Sequence, residues 1–164
     1  MSDSSAKFID PRSLGLRGLE LRKPLFDEAA LQRADAALQS MGASMVEWLD
    51  ADISRLQQAR AAAEAENWST PSLETLHGAA HDIKGMGATY GFPIVTQIAA
   101  SLCRLIETDA GKAVAQHDPT LVRAHVDALR AAVRDRIQDT RHPVGEALLQ
   151  TLEQQVERLG VAPR

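Results

Sequence analysis

The chain has little of what builds sheets, disulfides or nucleic-acid surfaces. Aromatic residues fill only 4% of its 164 positions, whereas strand faces draw on aromatic and β-branched side chains. The 45% hydrophobic content is mostly alanine and leucine, a composition that favours helix. Cysteine occurs once, at Cys103. That excludes an internal disulfide and a cysteine-built zinc site, and it suits a reducing compartment. Positive charge is also short. With 18 Lys and Arg against 22 Asp and Glu, the net charge of −4 argues against nucleic acid, which demands a basic surface. No apolar run approaches the ~18 residues of a membrane span. The opening Met1-Ser2-Asp3-Ser4-Ser5 lacks the basic-then-apolar pattern of a secretory signal. The expectation is a cytoplasmic protein with one core-forming domain.

Helical periodicity begins at Asp27. Residues 1–26, with Pro11, Gly15, Gly18 and Pro24, show no sustained period and read as an irregular arm, whose Leu14, Leu16, Leu19 and Leu21 could dock on the body. Residues 27–164 read as a single domain. Ala30, Ala34, Leu38 and Met41 share one face, Gly42 interrupts it, and Met45, Leu49, Ile53, Leu56 and Ala63 make a second stripe. Asn67 to Pro71 breaks the pattern, with Thr70 a natural N-cap and Pro71 at the first helical position. Leu73, Leu76, Ala80, Ile83 and Gly87 mark a third helix that should stop near Tyr90, where Gly91 can take the left-handed conformation of a helix end. Pro93 opens a fourth helix through Ile98, Leu102 and Leu105. Thr108 to Asp118 reads as a loop. Val122 to Ile137 and Leu148 to Leu159 supply two more helices. The fold class is therefore all-α: an antiparallel up-and-down four-helix bundle with additional N-terminal and C-terminal helices. A monomer is expected, because the apolar seams are narrow enough to be satisfied internally.

The chemistry concentrates in His81-Asp82-Ile83-Lys84-Gly85. A helix turns about 100° per residue, so His81 points roughly 120° away from the centre of the 73/76/80/83/87 seam. His77 and Ala88 fall on the same side, Lys84 stands between that side and the core, and Gly78 and Gly85 lie just beyond. In a hairpin turning near Gly91, both helices rise ~1.5 Å per residue. The next helix should then bring Ala99, Ala100 and Cys103 level with the imidazole, and Glu107 level with His77. A nucleophile and a cation share one open flank. An imidazole with the ordinary pKa of about 6.5 is largely neutral at neutral pH and can attack phosphorus, and a cation one turn away can offset charge on transferring oxygens.

Ala80-His81-x-Ile83-Lys84-Gly85, followed by Ala88, Gly91 and an apolar helix, resembles the signature of histidine-containing phosphotransfer (HPt) domains, strongly over residues 73–107. The resemblance implies a four-helix bundle with an exposed, phosphorylated His81. It would accept a phosphoryl group from the phospho-aspartate of a response-regulator receiver domain and pass it to another. Lys84 would steady the phosphate. His77, Gly78, Gly85, Ala88 and Cys103 would form the docking surface, and Gly91 the helix turn. The partners implied are receiver domains, with that of a hybrid histidine kinase upstream, and no nucleic acid or membrane. No cofactor is expected in this chain, since magnesium would come with the receiver. The sequence departs from the family where many members place Gln or Glu to hold the histidine ring. Here Cys103 stands at that level, leaving a water or Glu107 to orient His81.

Other readings have less support. His77-x-x-x-His81 pairs two imidazoles but lacks the Glu of a zincin motif and a third ligand, so no metal is expected. Lys84-Gly85 runs opposite to the P-loop order and lacks its preceding glycines, which argues against a kinase. The alternative function is a helical binding module that docks on a receiver or another signalling partner without carrying phosphate.

Overall fold

The computed structural model describes residues 27–162, so the expected arm over 1–26 lies outside the described residues. The described residues form six helices and no strand: α1 (Glu28–Ala65), α2 (Thr70–Met86), α3 (Pro93–Ile106), α4 (Asp109–His117), α5 (Thr120–Arg134) and α6 (Pro143–Leu159). The architecture is all-α. Contacts divide the chain into Met1–Ser40 and Met41–Arg164. In the first unit, Leu31 and Leu38 are exposed, so this stripe is not satisfied among the described residues. The second unit holds the core.

Four helices surround that core. α1 contributes Leu49, Ile53, Leu56, Ala59 and Ala63; α2 Leu73, Leu76, Ala80 and Ile83; α3 Ile94, Val95, Ile98, Ala99, Leu102, Leu105 and Ile106; α5 Val122, Val126, Leu129 and Val133. Burying each Leu, Ile or Val contributes roughly 1.5–3 kcal/mol, and α3 is buried nearly all round because it touches α2, α4, α5 and α6. α1 and α5 run antiparallel, whereas α6 runs parallel to α3, with Gly145 beside Ile94 and Glu153 beside Arg104. α1 is tied to α5 by Arg60 Nη1 to Asp127 Oδ1 at 2.8 Å and by Arg123 Nε to Glu64 Oε1 at 2.9 Å. α6 lies outside the four, docking Leu152 and Val156 on the core and pairing Glu153 with Arg104 of α3.

Four sequence expectations require correction. Gly42 does not divide α1, which runs unbroken for 38 residues. A lone exposed glycine costs a helix only about 1 kcal/mol. Ser69, not Thr70, caps α2, its hydroxyl accepting from Ser72 N at 3.4 Å, with Pro71 still in the first turn. α2 itself stops at Met86 rather than Tyr90, and residues 87–91 make the turn. Finally, the stretch read as a loop contains α4. Thr108 caps it by accepting from Gly111 N at 3.0 Å, and Asp109 places negative charge in its first turn, where the helix dipole favours it.

The α2–α3 turn sets the level of everything near His81. Gly91 takes the left-handed conformation (φ +86°). A Cβ on Gly87 would stand 2.8 Å from Thr96 Oγ1 and 3.0 Å from Thr96 N, so only glycine permits this approach. The Thr96 hydroxyl in turn accepts from Ala88 N at 2.8 Å.

Candidate functional site

His81 stands exposed on the outer side of α2, opposite the buried Ala80 and Ile83. Its ring centroid lies 6.3 Å from that of His77, with the planes tilted by 31°. Among the described residues, neither ring nitrogen of His81 accepts or donates a hydrogen bond. Lys84, half-buried, follows three residues later, on the side facing α3, and its charge is felt by both His77 and Cys103. One imidazole and one ammonium therefore share an open flank.

The glycines beside His81 have no packing reason to be glycine. A Cβ at Gly78 or at Gly85 would meet nothing within 4 Å, and both lie inside α2. Each costs the helix about 1 kcal/mol relative to Ala. The bundle gains no packing from them. Ala88 is likewise small and exposed.

Cys103 departs from its expected place. It is 3% exposed, because it lies on the core-facing side of α3, and so presents no side chain to a docking partner. Burial pushes its thiol up to about 11, an effect that Glu107 adds to and that Lys84 and Arg104 oppose. The thiol is protonated at neutral pH and does not compete with the imidazole as a nucleophile.

Glu107 and His77 come together, as the hairpin register implies. Burial lowers the pKa of His77. Glu107 opposes this, while His81, Lys84 and Lys112 reinforce it. Lys112 was not anticipated, because its helix was read as a loop. α4 folds back against the start of α2, pairing Lys112 Nζ with Glu74 Oε1 at 3.1 Å. The flank on the His77 side of His81 is thus walled by one carboxylate and one further ammonium.

On the other side, His81 shares a shallow depression with Gly85, Met86, Asp82, Tyr90 and, from α1, Asp52 and Arg55. Asp52 is the buried carboxylate of α1 and pairs with Arg55. The sequence carried a trace of this pair, since Asp52 falls within the stripe that buries Leu49, Ile53 and Leu56. Among the described residues, no group of three or more His, Cys, Asp or Glu side chains could hold a metal ion.

The site is a helical bundle that presents the exposed imidazole of His81, with that of His77 6.3 Å away and Lys84 one turn on. The family model of the Hpt domain matches residues 28–132, and the chain belongs to the Hpt domain family. Membership brings the general role of the family, phosphocarrier function in phosphorelays through contact with receiver domains, rather than that of a kinase. The match runs from α1 into α5 and leaves α6 as an addition. No curated protein and no solved structure matches the chain. No helix among the described residues is long and apolar enough to cross a membrane.

Proposed function

We propose that His81 is the phosphoryl carrier of a multistep His-to-Asp relay, taking the group from a receiver's phospho-aspartate and delivering it to another response regulator. The observation that carries this reading is the exposed His81 ring flanked by Lys84 and by two helix glycines that serve no packing purpose. In the accepting step the lone pair of the unprotonated ring nitrogen forms the N–P bond as the acyl P–O bond breaks. The electron pair leaves with the partner's aspartate carboxylate, and the proton on the other ring nitrogen passes to water as the ring becomes neutral. Delivery reverses these changes.

The chain's own contributions are positioning and charge. Lys84 offsets negative charge on the three phosphoryl oxygens, an effect that strengthens once a docked surface excludes water and lowers the local dielectric. Gly78, Gly85 and Ala88 let the acidic pocket of a receiver approach the ring. His77, held toward its neutral form, and Glu107 border the same surface and contact the partner.

The test is incubation with several phosphorylated receiver domains, comparing wild type with His81→Ala. Wild type should acquire an acid-labile, alkali-stable label and the variant none. Equal labelling of the two would place the chemistry on another residue. Binding of receivers without any label would make the protein a docking module.

A further inference from the structure

Two residues of α1 remain unexplained by the roles given above. Asp52 is 7% exposed, at a position where the stripe of α1 otherwise buries Leu49, Ile53 and Leu56. A buried carboxylate is costly unless it is paired, and its partner is Arg55, one turn along the same helix. The guanidinium itself is not buried. The Arg55 side chain is 63% exposed, and Asp52, Arg55 and His81 line one depression with Asp82, Gly85, Met86 and Tyr90. A second groove between α1 and α2 also contains Asp52 and Arg55, beside Gly78, Ala79 and Asp82. Both grooves therefore place the pair against the stretch of α2 that carries His81.

We propose that Arg55 is a second phosphate-binding cation, held by Asp52 so that its free N–H groups meet the phosphoryl oxygens on His81. The idea rests on His81 being the phosphoryl carrier and deepens that reading. Guanidinium has five N–H donors in a rigid fork. The hydrogen bond to Asp52 Oδ1 uses the Nη2 arm, leaving Nη1 and Nε to serve a second anion. Arg55 thus does not have to abandon a buried carboxylate to bind phosphate. Lys84 approaches from the side of α3 and Arg55 from the side of α1, so the phosphoryl group would lie between cations on two flanks. Asp82 lines the same depression but makes no ion pair with Arg55, whose carboxylate partner is Asp52. A phosphoryl group on His81 brings charge and three acceptor oxygens to the free donors of Arg55. Asp52 is a positioning residue in this scheme, and Arg55 touches the transferred group.

The experiment labels His81 directly with phosphoramidate, a small P–N donor that needs no receiver. Wild type, Arg55→Ala, Arg55→Lys and Asp52→Asn are then compared by 31P NMR and by the equilibrium of phosphoryl transfer with one receiver, with helicity checked by circular dichroism. Arg55→Ala should shift the phosphohistidine resonance and move the equilibrium toward the receiver by about three- to fivefold, the size of one exposed charge pair. Arg55→Lys should restore part of the equilibrium shift but not the resonance, because an ammonium lacks the fork. Asp52→Asn, with Arg55 intact, should shift the equilibrium in the same direction by less. A wild-type resonance and equilibrium in Arg55→Ala would overturn the proposal while leaving the carrier reading intact. If wild-type His81 takes no label at all, the carrier reading itself falls.

Discussion

Replacing Gly78 and Gly85 by alanine separates folding from docking, because the two demands on these residues oppose each other. Neither Cβ would meet another atom within 4 Å, so the added methyls cause no overpacking, and neither glycine has a positive φ. Each substitution should stabilise α2 by about 0.8–1 kcal/mol, the difference between Gly and Ala in a helix interior. The sites are seven residues apart, about 10 Å along the axis, which is far enough for the effects to add. The double variant should gain close to 2 kcal/mol and melt about 4–8 °C higher, at roughly 2–4 °C per kcal/mol for a chain of this size. Transfer should move the other way. Two methyl groups on the face that a receiver must approach hold it off the ring, and a misplacement of ~1 Å can cost about a hundredfold in rate. Thermal melts and single-turnover transfer from one phospho-receiver measure both. A more stable variant with unchanged transfer would refute the docking role of these glycines. A less stable one would refute the claim that the space above them is empty.

Three other perturbations test separate parts of the argument. His125, fully buried between α5 and α3, donates from Nδ1 to Leu121 O at 2.7 Å and accepts at Nε2 from the Ser101 hydroxyl at 3.0 Å. Burial lowers its pKa to about 4, below the ordinary 6.5, so the unfolded chain takes up a proton first as pH falls. Its contribution is intact above about pH 6.5 and declines toward pH 4, by ~3 kcal/mol at 1.36 kcal/mol per pH unit. Urea unfolding across that window should show this slope in wild type and a flatter one in His125→Gln, and equal slopes would sink the assignment. Gly111→Ala should cost about 1–3 kcal/mol, because the new Cβ would stand 1.8 Å from Leu105 O and α4 must move; an unshifted urea midpoint would show that the helix yields freely. Lys84→Ala should slow transfer about tenfold, equivalent to 1.36 kcal/mol of transition-state charge stabilisation, with docking affinity changed less; unaltered single-turnover kinetics would remove the ammonium from the mechanism.

Legibility followed the strength of the apolar period. α2 and α3 show it without interruption and have proline near the start of each, so their faces, the hairpin register and the outward side of His81 could all be read from spacing. Where local chemistry was ambiguous, tertiary context decided. Gly42 looked like a break because glycine is a poor helix former, yet α1 continues through it and the penalty is small. Thr108 to Asp118 looked like a loop because Gly111 and a scattered polar pattern mask its period. The reason for Gly111 is the carbonyl of Leu105 packed against it, which no local pattern reveals. The same blind spot hid Lys112. Asp52 and Arg55 were missed for a different reason: an ion pair between residues three apart on a helix is usually a solvated surface feature. Only the burial of Asp52 and the depression shared with His81 set this pair apart.

The burial of Cys103 changes how the imidazole must be held. A residue level with His81 on α3 could steady the ring only by reaching the surface, and this one turns its thiol into the core. The polar side chains that border the ring from other directions are instead His77 on its own helix and the Asp52–Arg55 pair in the depression shared with α1. Two of these three can donate hydrogen bonds to phosphoryl oxygens, and neither approaches from α3. Orientation of the loaded ring would then come from its cargo, held between Lys84 and Arg55, more than from a bond to the free imidazole. A ring left unfixed until phosphate arrives can rotate to meet receivers of different approach angle, as a carrier with both a donor and an acceptor partner requires. Amide or ring NMR relaxation should therefore show His81 losing side-chain mobility on phosphorylation. A ring equally rigid before and after would mean that something other than the phosphate fixes it.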